Sequence, residues 1–150
     1  MIKLLFGFLL IISTVIFMEV FSWAIHKYIF HGILWNIHKT HHKPRTGWFE
    51  LNDIFSFSFA VIAIVLLVIG IKEISPSFWI GLGITLYGII YFIFHDVFIH
   101  NRLKAFKSSN PYLLRIRRAH KIHHKSQDKN PSESFGLLYV GKKYSITYKK

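Results

Sequence analysis

The chain has no cysteine, and the missing thiol removes several chemistries at once. Disulfide scaffolds, Cys-ligated zinc, iron–sulfur clusters, thiolate haem and cysteine nucleophiles are all excluded. Acids are scarce too, with 7 Asp+Glu against 19 Lys+Arg, and only 17% of the 150 residues are charged where a soluble domain carries about a quarter. No G-x-G-x-x-G joins a strand to a helix, and the length leaves no room for a flavin or nicotinamide domain. Any metal must therefore sit on nitrogen or oxygen, and any redox electrons must come from outside the chain.

What is abundant is apolar and aromatic. Hydrophobic residues make up 52%, with 15 Phe, 7 Tyr and 4 Trp, which excludes disorder and points to a bilayer rather than a water-soluble core. Three blocks stand out: 4–25, interrupted only by Glu19, then 54–71 and 78–94, both free of charge. At 1.5 Å per residue, about 20 residues cross a hydrocarbon layer of about 30 Å, so each block predicts a spanning helix. The polar stretch 72–77, with Pro76 as breaker, predicts a hairpin between the second and third. A signal peptide is the other reading of the first block, but no small-x-small site follows it and Phe21 and Trp23 lead directly into a histidine motif. The expected fold is all-α, an integral membrane domain of three to four spanning helices in one unit, 1–150.

The charge gives an orientation. Of the 19 Lys and Arg, four lie in 26–53 and thirteen in 101–150, two regions that three spans place on one side. The positive-inside rule makes that side cytoplasmic, with the N-terminus and the hairpin turn outside and the inner membrane as location. The net charge of +12 thus marks topology and calls for no nucleic acid. Beyond the third span, 112–125 has helical periodicity, whereas 134–140 and 144–148 favour extended structure.

All ten histidines fall into four boxes: His26 and His31; His38, His41 and His42; His95 and His100; His120, His123 and His124. The pair "H-x4-H, then H-x2-H-H" occurs twice, in 26–42 and 95–124. On a helix, positions i, i+3 and i+4 project within about 100° of one another, which suits chelation of one or two adjacent metals. Positions i and i+5 are about 140° apart, so each H-x4-H box requires either a loosened, π-type turn or two different ions. All four boxes lie at the cytoplasmic ends of spans one and three or in the segments beyond, which predicts a single cluster. Ten neutral imidazoles can fill the coordination of two metal ions with positions left open. Rings that bind metal need partners for their other nitrogen. Candidates are Asp96, beside His95; Asp53, with Glu50 and Asn52 at the start of span two; and Glu19, seven residues before His26. For Glu19 an equally good reading is an embedded acid paired to a neighbouring helix.

These boxes and the words around them, Met18-Glu19-Val20, His26-Lys27-Tyr28-Ile29-Phe30-His31-Gly32, His38-Lys39-Thr40-His41-His42-Lys43-Pro44-Arg45, Phe49-Glu50-Leu51-Asn52-Asp53, Ala119-His120-Lys121-Ile122-His123-His124 and Ser134-Phe135-Gly136-Leu137-Leu138-Tyr139, resemble the membrane-bound non-haem diiron oxygenases of the fatty acid hydroxylase superfamily. Within it they are most similar to the bacterial β-carotene hydroxylases, over nearly the whole chain. The chain departs at the third box, where Val97 follows Asp96 instead of glycine and Leu103-Lys104 follow Arg102 in place of an Arg-x-Pro run.

The resemblance implies an O2-dependent 3-hydroxylase of β-ionone rings, taking β-carotene through β-cryptoxanthin to zeaxanthin. It also implies two non-haem irons, with all ten histidines as ligands, and electrons from a reduced ferredoxin-type donor. Alternatives are a sterol or fatty acyl hydroxylase or desaturase of the same superfamily and, from another class, a histidine-rich metal transporter. The transporter is disfavoured because the span cores carry no His and only Glu19 as an ionisable group.

Overall fold

The computed structural model describes residues 1–44, 47–130 and 132–145. They are helical, with no strand, and three helices are long and apolar enough to cross a membrane: Ile2–Ile33, Asp53–Gly70 and Pro76–Ile99. We label them α1 (Ile2–Ala24, continued by a π-helical segment Ile25–Ile33), α3 (Asp53–Gly70) and α4 (Pro76–Tyr91, continued by a π-helical segment Phe92–Ile99). Between α1 and α3 lies the single turn α2 (Trp35–His38); after α4 come α5 (Pro111–His123) and a 3-10 turn, Lys142–Tyr144.

The first and third apolar blocks are thus the outer parts of longer rods. At 1.5 Å per residue, α1 with its extension is about 48 Å long, well beyond the hydrocarbon thickness, so its last turns stand clear of the bilayer core. The hairpin turn is tighter than 72–77: Gly70 ends α3, and Pro76 opens α4 at the position where its missing N–H costs nothing. Within the spans few side chains are covered by protein, and Leu5, Phe8, Ile12, Phe57, Val68 and Ile89 face outward. That surface is tolerable in lipid and not in water.

Helix α4 packs against both α1 and α3. Its close approaches are made at glycines: a Cβ on Gly83 would lie 2.6 Å from Thr14 of α1 and one on Gly81 3.0 Å from Leu67 of α3, while Gly7 of α1 and Gly70 of α3 leave room for Trp79 and Phe78 of α4. Small residues at such crossings let helices associate by van der Waals contact where no hydrophobic force acts between them. Rings of Phe21 and Phe59 meet edge-to-face between α1 and α3, and Phe30 of the π-helical continuation stacks on Phe55.

Off the membrane, a second core joins the π-helical end of α4, α5 and the C-terminal segment through Phe98, Ile99, Ile116, Ala119, Leu137, Val140 and Tyr144. Burying each large side chain contributes about 1.5–3 kcal/mol. Helix α5 begins where Asn110 accepts the N–H groups of Tyr112 and Leu113, with Pro111 at the first position, in agreement with the periodicity of 112–125. The extended expectation for 134–140 is not met. Among the described residues no second segment supplies a ladder there, and the N–H groups of Leu137, Leu138 and Tyr139 are taken by the Glu19 carboxylate. Of 144–148, Tyr144 ends the 3-10 turn and 146–148 lie outside the described residues.

The crossing at Gly83 makes a stability prediction. Gly83→Val should destabilise the folded chain in detergent by about 1–3 kcal/mol or more, as over-packing does. Gly88→Ala, where an added Cβ meets nothing within 4 Å, should leave the unfolding midpoint unchanged or raised. Comparison of the two midpoints by thermal unfolding checks this.

Candidate metal centre

Both H-x4-H boxes lie on the π-helical segments, which resolves their awkward spacing. With i→i+5 hydrogen bonds, as in His100 N–H to the His95 carbonyl at 3.0 Å, residues five apart return to one face. His26 and His31 therefore point the same way, as do His95 and His100. Gly32 then breaks the first segment with non-helical torsions (φ −104°, ψ −115°), turning the chain into α2 and the second box.

The ten imidazoles converge. Their nitrogens form one set from His26, His31, His38, His42 and His123 and another from His41, His100, His120 and His124, each within 4.8 Å. His95 joins the second set, its Nε2 3.1 Å from that of His41 and its ring centroid 4.6 Å from His100. The sets abut where His42 and His124 stack, centroids 4.6 Å apart. Assignment follows the sequence repeat with a crossover. In each half the H-x4-H pair and the outer two histidines of H-x2-H-H share one set, while the middle histidine, His41 or His123, crosses to the other.

The outward nitrogens fix the tautomers. His26 Nδ1–H donates to the Phe135 carbonyl (2.8 Å), His31 to that of Lys129 (3.2 Å), His42 to that of Ser126 (2.8 Å) and His123 to that of Glu133 (2.9 Å). His38 donates to Asn52 Oδ1 (2.7 Å), His41 to Glu50 (3.0 Å) and His95 to Asp96 (3.3 Å). A carbonyl or carboxylate oxygen only accepts, so Nδ1 of these rings carries the hydrogen and Nε2 presents a bare lone pair. The contacts His26–His38 at 3.0 Å, His31–His123 at 3.2 Å and His41–His95 at 3.1 Å between Nε2 atoms are then not hydrogen bonds. Each sets lone pair against lone pair, an arrangement that needs a cation between. Two nitrogens bound at right angles about 2.1 Å from one metal are about 3.0 Å apart, which these distances match. His124 adds a buried Nε2 with no hydrogen-bond partner among the described residues. The donor set, ten imidazole nitrogens in two fives, fits two metal ions of the kinds imidazole prefers.

Around the rings stands an acidic layer held by one cation. Arg102 pairs with Asp53 (2.7 Å), Asp96 (3.2 Å) and, more distantly, Glu50 (3.7 Å), so two of its partners are the acceptors that orient His95 and His41. Although burial works against its charge, these carboxylates hold the guanidinium above its ordinary pKa. Asp53 acts one step removed: it binds Arg102 and accepts the Glu50 N–H at 3.0 Å. Glu19 reaches no imidazole; it binds the C-terminal segment and Tyr87. Val97, where the resemblance departs, is buried. The sequence reading missed Arg102 and the four backbone carbonyls of 126–135, since a carbonyl leaves no signature in residue type.

An apolar cavity of about 530 Å³ runs among α1, α3 and α4, lined by side chains such as Phe55, Phe59, Ala63 and Ile84. Its inner end meets a small pocket of about 30 Å³ walled in part by His26, His38, His41, His95 and His120. Ser22, Phe30, Asn52 and Tyr91 line both, and the Tyr91 ring stacks on His95 with centroids 4.4 Å apart.

Burial keeps the rings beyond the membrane helices neutral. His38 and His123 are pushed down to about 3 and His42 to about 4, and burial with neighbouring imidazoles lowers His41, His120 and His124 as well. In an unfolded chain the same rings titrate near 6.5. Between about pH 6.5 and 4 the unfolded state thus binds more protons, so stability falls as pH falls, by up to about 1.4 kcal/mol per pH unit for each such ring. The chelator-stripped chain should lose thermal stability progressively from pH 7 to 4.5. An unfolding midpoint constant across that range would contradict the buried, neutral cluster.

A family model described as fatty acid hydroxylase matches residues 11–140. The chain is 42% identical over 133 residues to the β-carotene hydroxylase of Pantoea ananas, covering 88% of this chain and 76% of that protein. It is 38% identical over 136 residues to the β-carotene hydroxylase of Paracoccus sp., 89% and 84% of the two chains. It is also 41% identical over 140 residues to the chloroplastic β-carotene 3-hydroxylase 2 of Arabidopsis thaliana, 89% of this chain and 46% of that one. No solved structure matches. With the match running through all four histidine boxes, the chain belongs to the fatty acid hydroxylase family.

Proposed function

We propose that this chain is a β-carotene 3-hydroxylase of the membrane, working at a centre of two non-haem irons held by His26, His31, His38, His42 and His123 on one side and His41, His95, His100, His120 and His124 on the other. The observation that carries the reading is the shared wall between an apolar, membrane-level cavity and a buried cluster of metal-ready imidazoles. The net change is a ring C–H and O2, with two electrons and two protons, giving C–OH and water. Iron, when bound, supplies the dioxygen chemistry that no side chain here offers.

The rest is the work of the chain. The cavity takes an end ring and part of the polyene from the bilayer, and its size suits binding of a hydrocarbon of this class. Phe30 and Tyr91 shape the threshold where a ring carbon meets the centre, with Phe30 itself braced by stacking on Phe55 at 3.8 Å. Asn52, Glu50 and Asp96 hold three rings in the donor tautomer, and Arg102 holds the acids. Covering of the cluster by α5 and by residues 126–130 and 132–137 keeps bulk water out. Electrons come from a reduced ferredoxin-type donor, steered by the basic flank that includes Lys39, Lys104, Lys121 and Lys125. The histidine face is cytoplasmic, and the N-terminus and hairpin turn face outward.

Expression in cells that accumulate β-carotene, with an active donor, should yield β-cryptoxanthin and zeaxanthin; unchanged pigment would overturn the assignment. His41→Ala and His123→Ala, each removing the crossing ligand of one set, should abolish product while membrane insertion persists. Gly88→Phe, projecting into the cavity from a position where a side chain meets no neighbour, should cut turnover at least about tenfold without loss of folded protein. Orientation is testable because the chain has no native thiol. Glu73→Cys should react with an impermeant maleimide from the outside, and Lys142→Cys only after lysis.

A further inference from the structure

Glu19 stands out as an acid on a membrane helix that touches none of the histidines. Its position is about 25 Å along α1 from Ile2, near the far boundary of the hydrocarbon layer. An ionisable group there is costly unless satisfied, and its partners are unusual. Oε1 accepts three successive backbone N–H groups, from Leu137 (3.1 Å), Leu138 (2.7 Å) and Tyr139 (3.1 Å), while Oε2 accepts the Tyr87 hydroxyl at 2.9 Å. Successive N–H groups converging on one oxygen form an anion nest, here built by this chain's own C-terminal segment.

That segment also carries histidine acceptors. Four residues before Tyr139, the Phe135 carbonyl takes the Nδ1–H of His26, and the Glu133 carbonyl takes that of His123. The Phe135 ring meets His26, His31 and His123 edge-on at centroid distances of 5.5, 5.1 and 5.3 Å. Between the two carbonyls, Ser134 sits at φ 62°, a left-handed conformation that costs a non-glycine residue about 1–2 kcal/mol and persists only where its flanks are held. The flank on one side is the Glu19 nest. Gly136 allows the close approach: a Cβ there would lie 3.1 Å from the Tyr139 carbonyl oxygen and 3.4 Å from Glu19 Oε1.

We infer that Glu19 is a positioning residue that clamps segment 133–139 onto α1, and through the Phe135 and Glu133 carbonyls sets the rings of the His26-containing set while leaving the other set untouched. The inference rests on the two-metal reading of the cluster. Outer partners of this kind alter metal affinity by about 10–100-fold. A clamp on one set therefore has an asymmetric consequence that mere pairing of a membrane acid does not.

The test uses the full chain in detergent, stripped of metal, loaded anaerobically with Fe(II) and challenged with a chelator, with metal per chain and amide hydrogen exchange as readouts. The wild-type chain should retain about two ions. Glu19→Ala should retain about one and show faster exchange at residues 137–139, and Glu19→Gln, which keeps a carbonyl oxygen for the nest, should restore most of both. Folded Glu19→Ala with two ions held as tightly as wild type overturns the inference, as does equal loss of both ions. If Glu19→Ala does not fold, Gly136→Ala, which crowds the nest and leaves the charge, decides by the same two readouts. A wild-type chain that takes up no iron overturns the two-metal reading itself. In that case accelerated exchange at 137–139 in Glu19→Ala still upholds the clamp, and unchanged exchange removes it.

Discussion

The arrangement rests on one constraint: imidazoles whose outer nitrogen is committed to an acceptor and whose inner nitrogen is thereby left as a bare lone pair. Seven rings are fixed this way, by contacts of 2.7 to 3.3 Å. Once the outer hydrogens are committed, inner nitrogens about 3 Å apart repel, and only a cation between them relieves that. Everything around the cluster can be understood as holding the outer acceptors still. Arg102 gathers the carboxylates at the start of α3 and the end of α4, and the covering segment offers its carbonyls at 126, 129, 133 and 135.

This division of labour explains what could be read from residue order. The three spans, the helical hairpin and α5 follow from apolar run length and periodicity, because a bilayer leaves the backbone no alternative to helix. The gathering of ten histidines follows from their boxes. The choice at H-x4-H between a loosened helix and separate ions was open in the spacing, and the π-helical segments answer it for the loosened helix. Asp96 adjoins His95 in sequence, and Glu50 and Asn52 lie within fourteen residues of the rings they hold, so they were legible. Arg102 was not, since its three partners come from two distant stretches, Glu50 with Asp53 and then Asp96, and only folding brings them together. The strand expectation for 134–140 failed for a related reason: β-favouring side chains describe a surface, whereas the backbone donors of Leu137 to Tyr139 go to a carboxylate more than a hundred residues away.

The π-helical segments carry a wider consequence. A regular α-helix leaving the bilayer would aim residues five apart in different directions, and a long loop would aim them nowhere in particular. Widening the last turns of α1 and α4 lets two rods already fixed by glycine-mediated packing each deliver two imidazoles to a shared point. The membrane helices thus serve as rigid supports for the cluster, and a cavity between those same helices opens onto it.

The crossover of His41 and His123 bears on why the two halves cannot work apart. If each repeat held its own set, either half could in principle assemble without the other. Because the middle histidine of each H-x2-H-H box is exchanged, each set of five is completed only when the α2 region and the end of α5 lie side by side, as the stacking of His42 on His124 requires. Ion binding to such sets adds stability only to the fully assembled arrangement, because the unfolded chain has no equivalent site. The segment between α1 and α3 and the segment beyond α4 share little apolar core with each other. For the proposed centre, then, the metal ions are also the cross-links that hold these two segments together, and loss of either crossing histidine removes a ligand from one set and a tie between the halves in the same step.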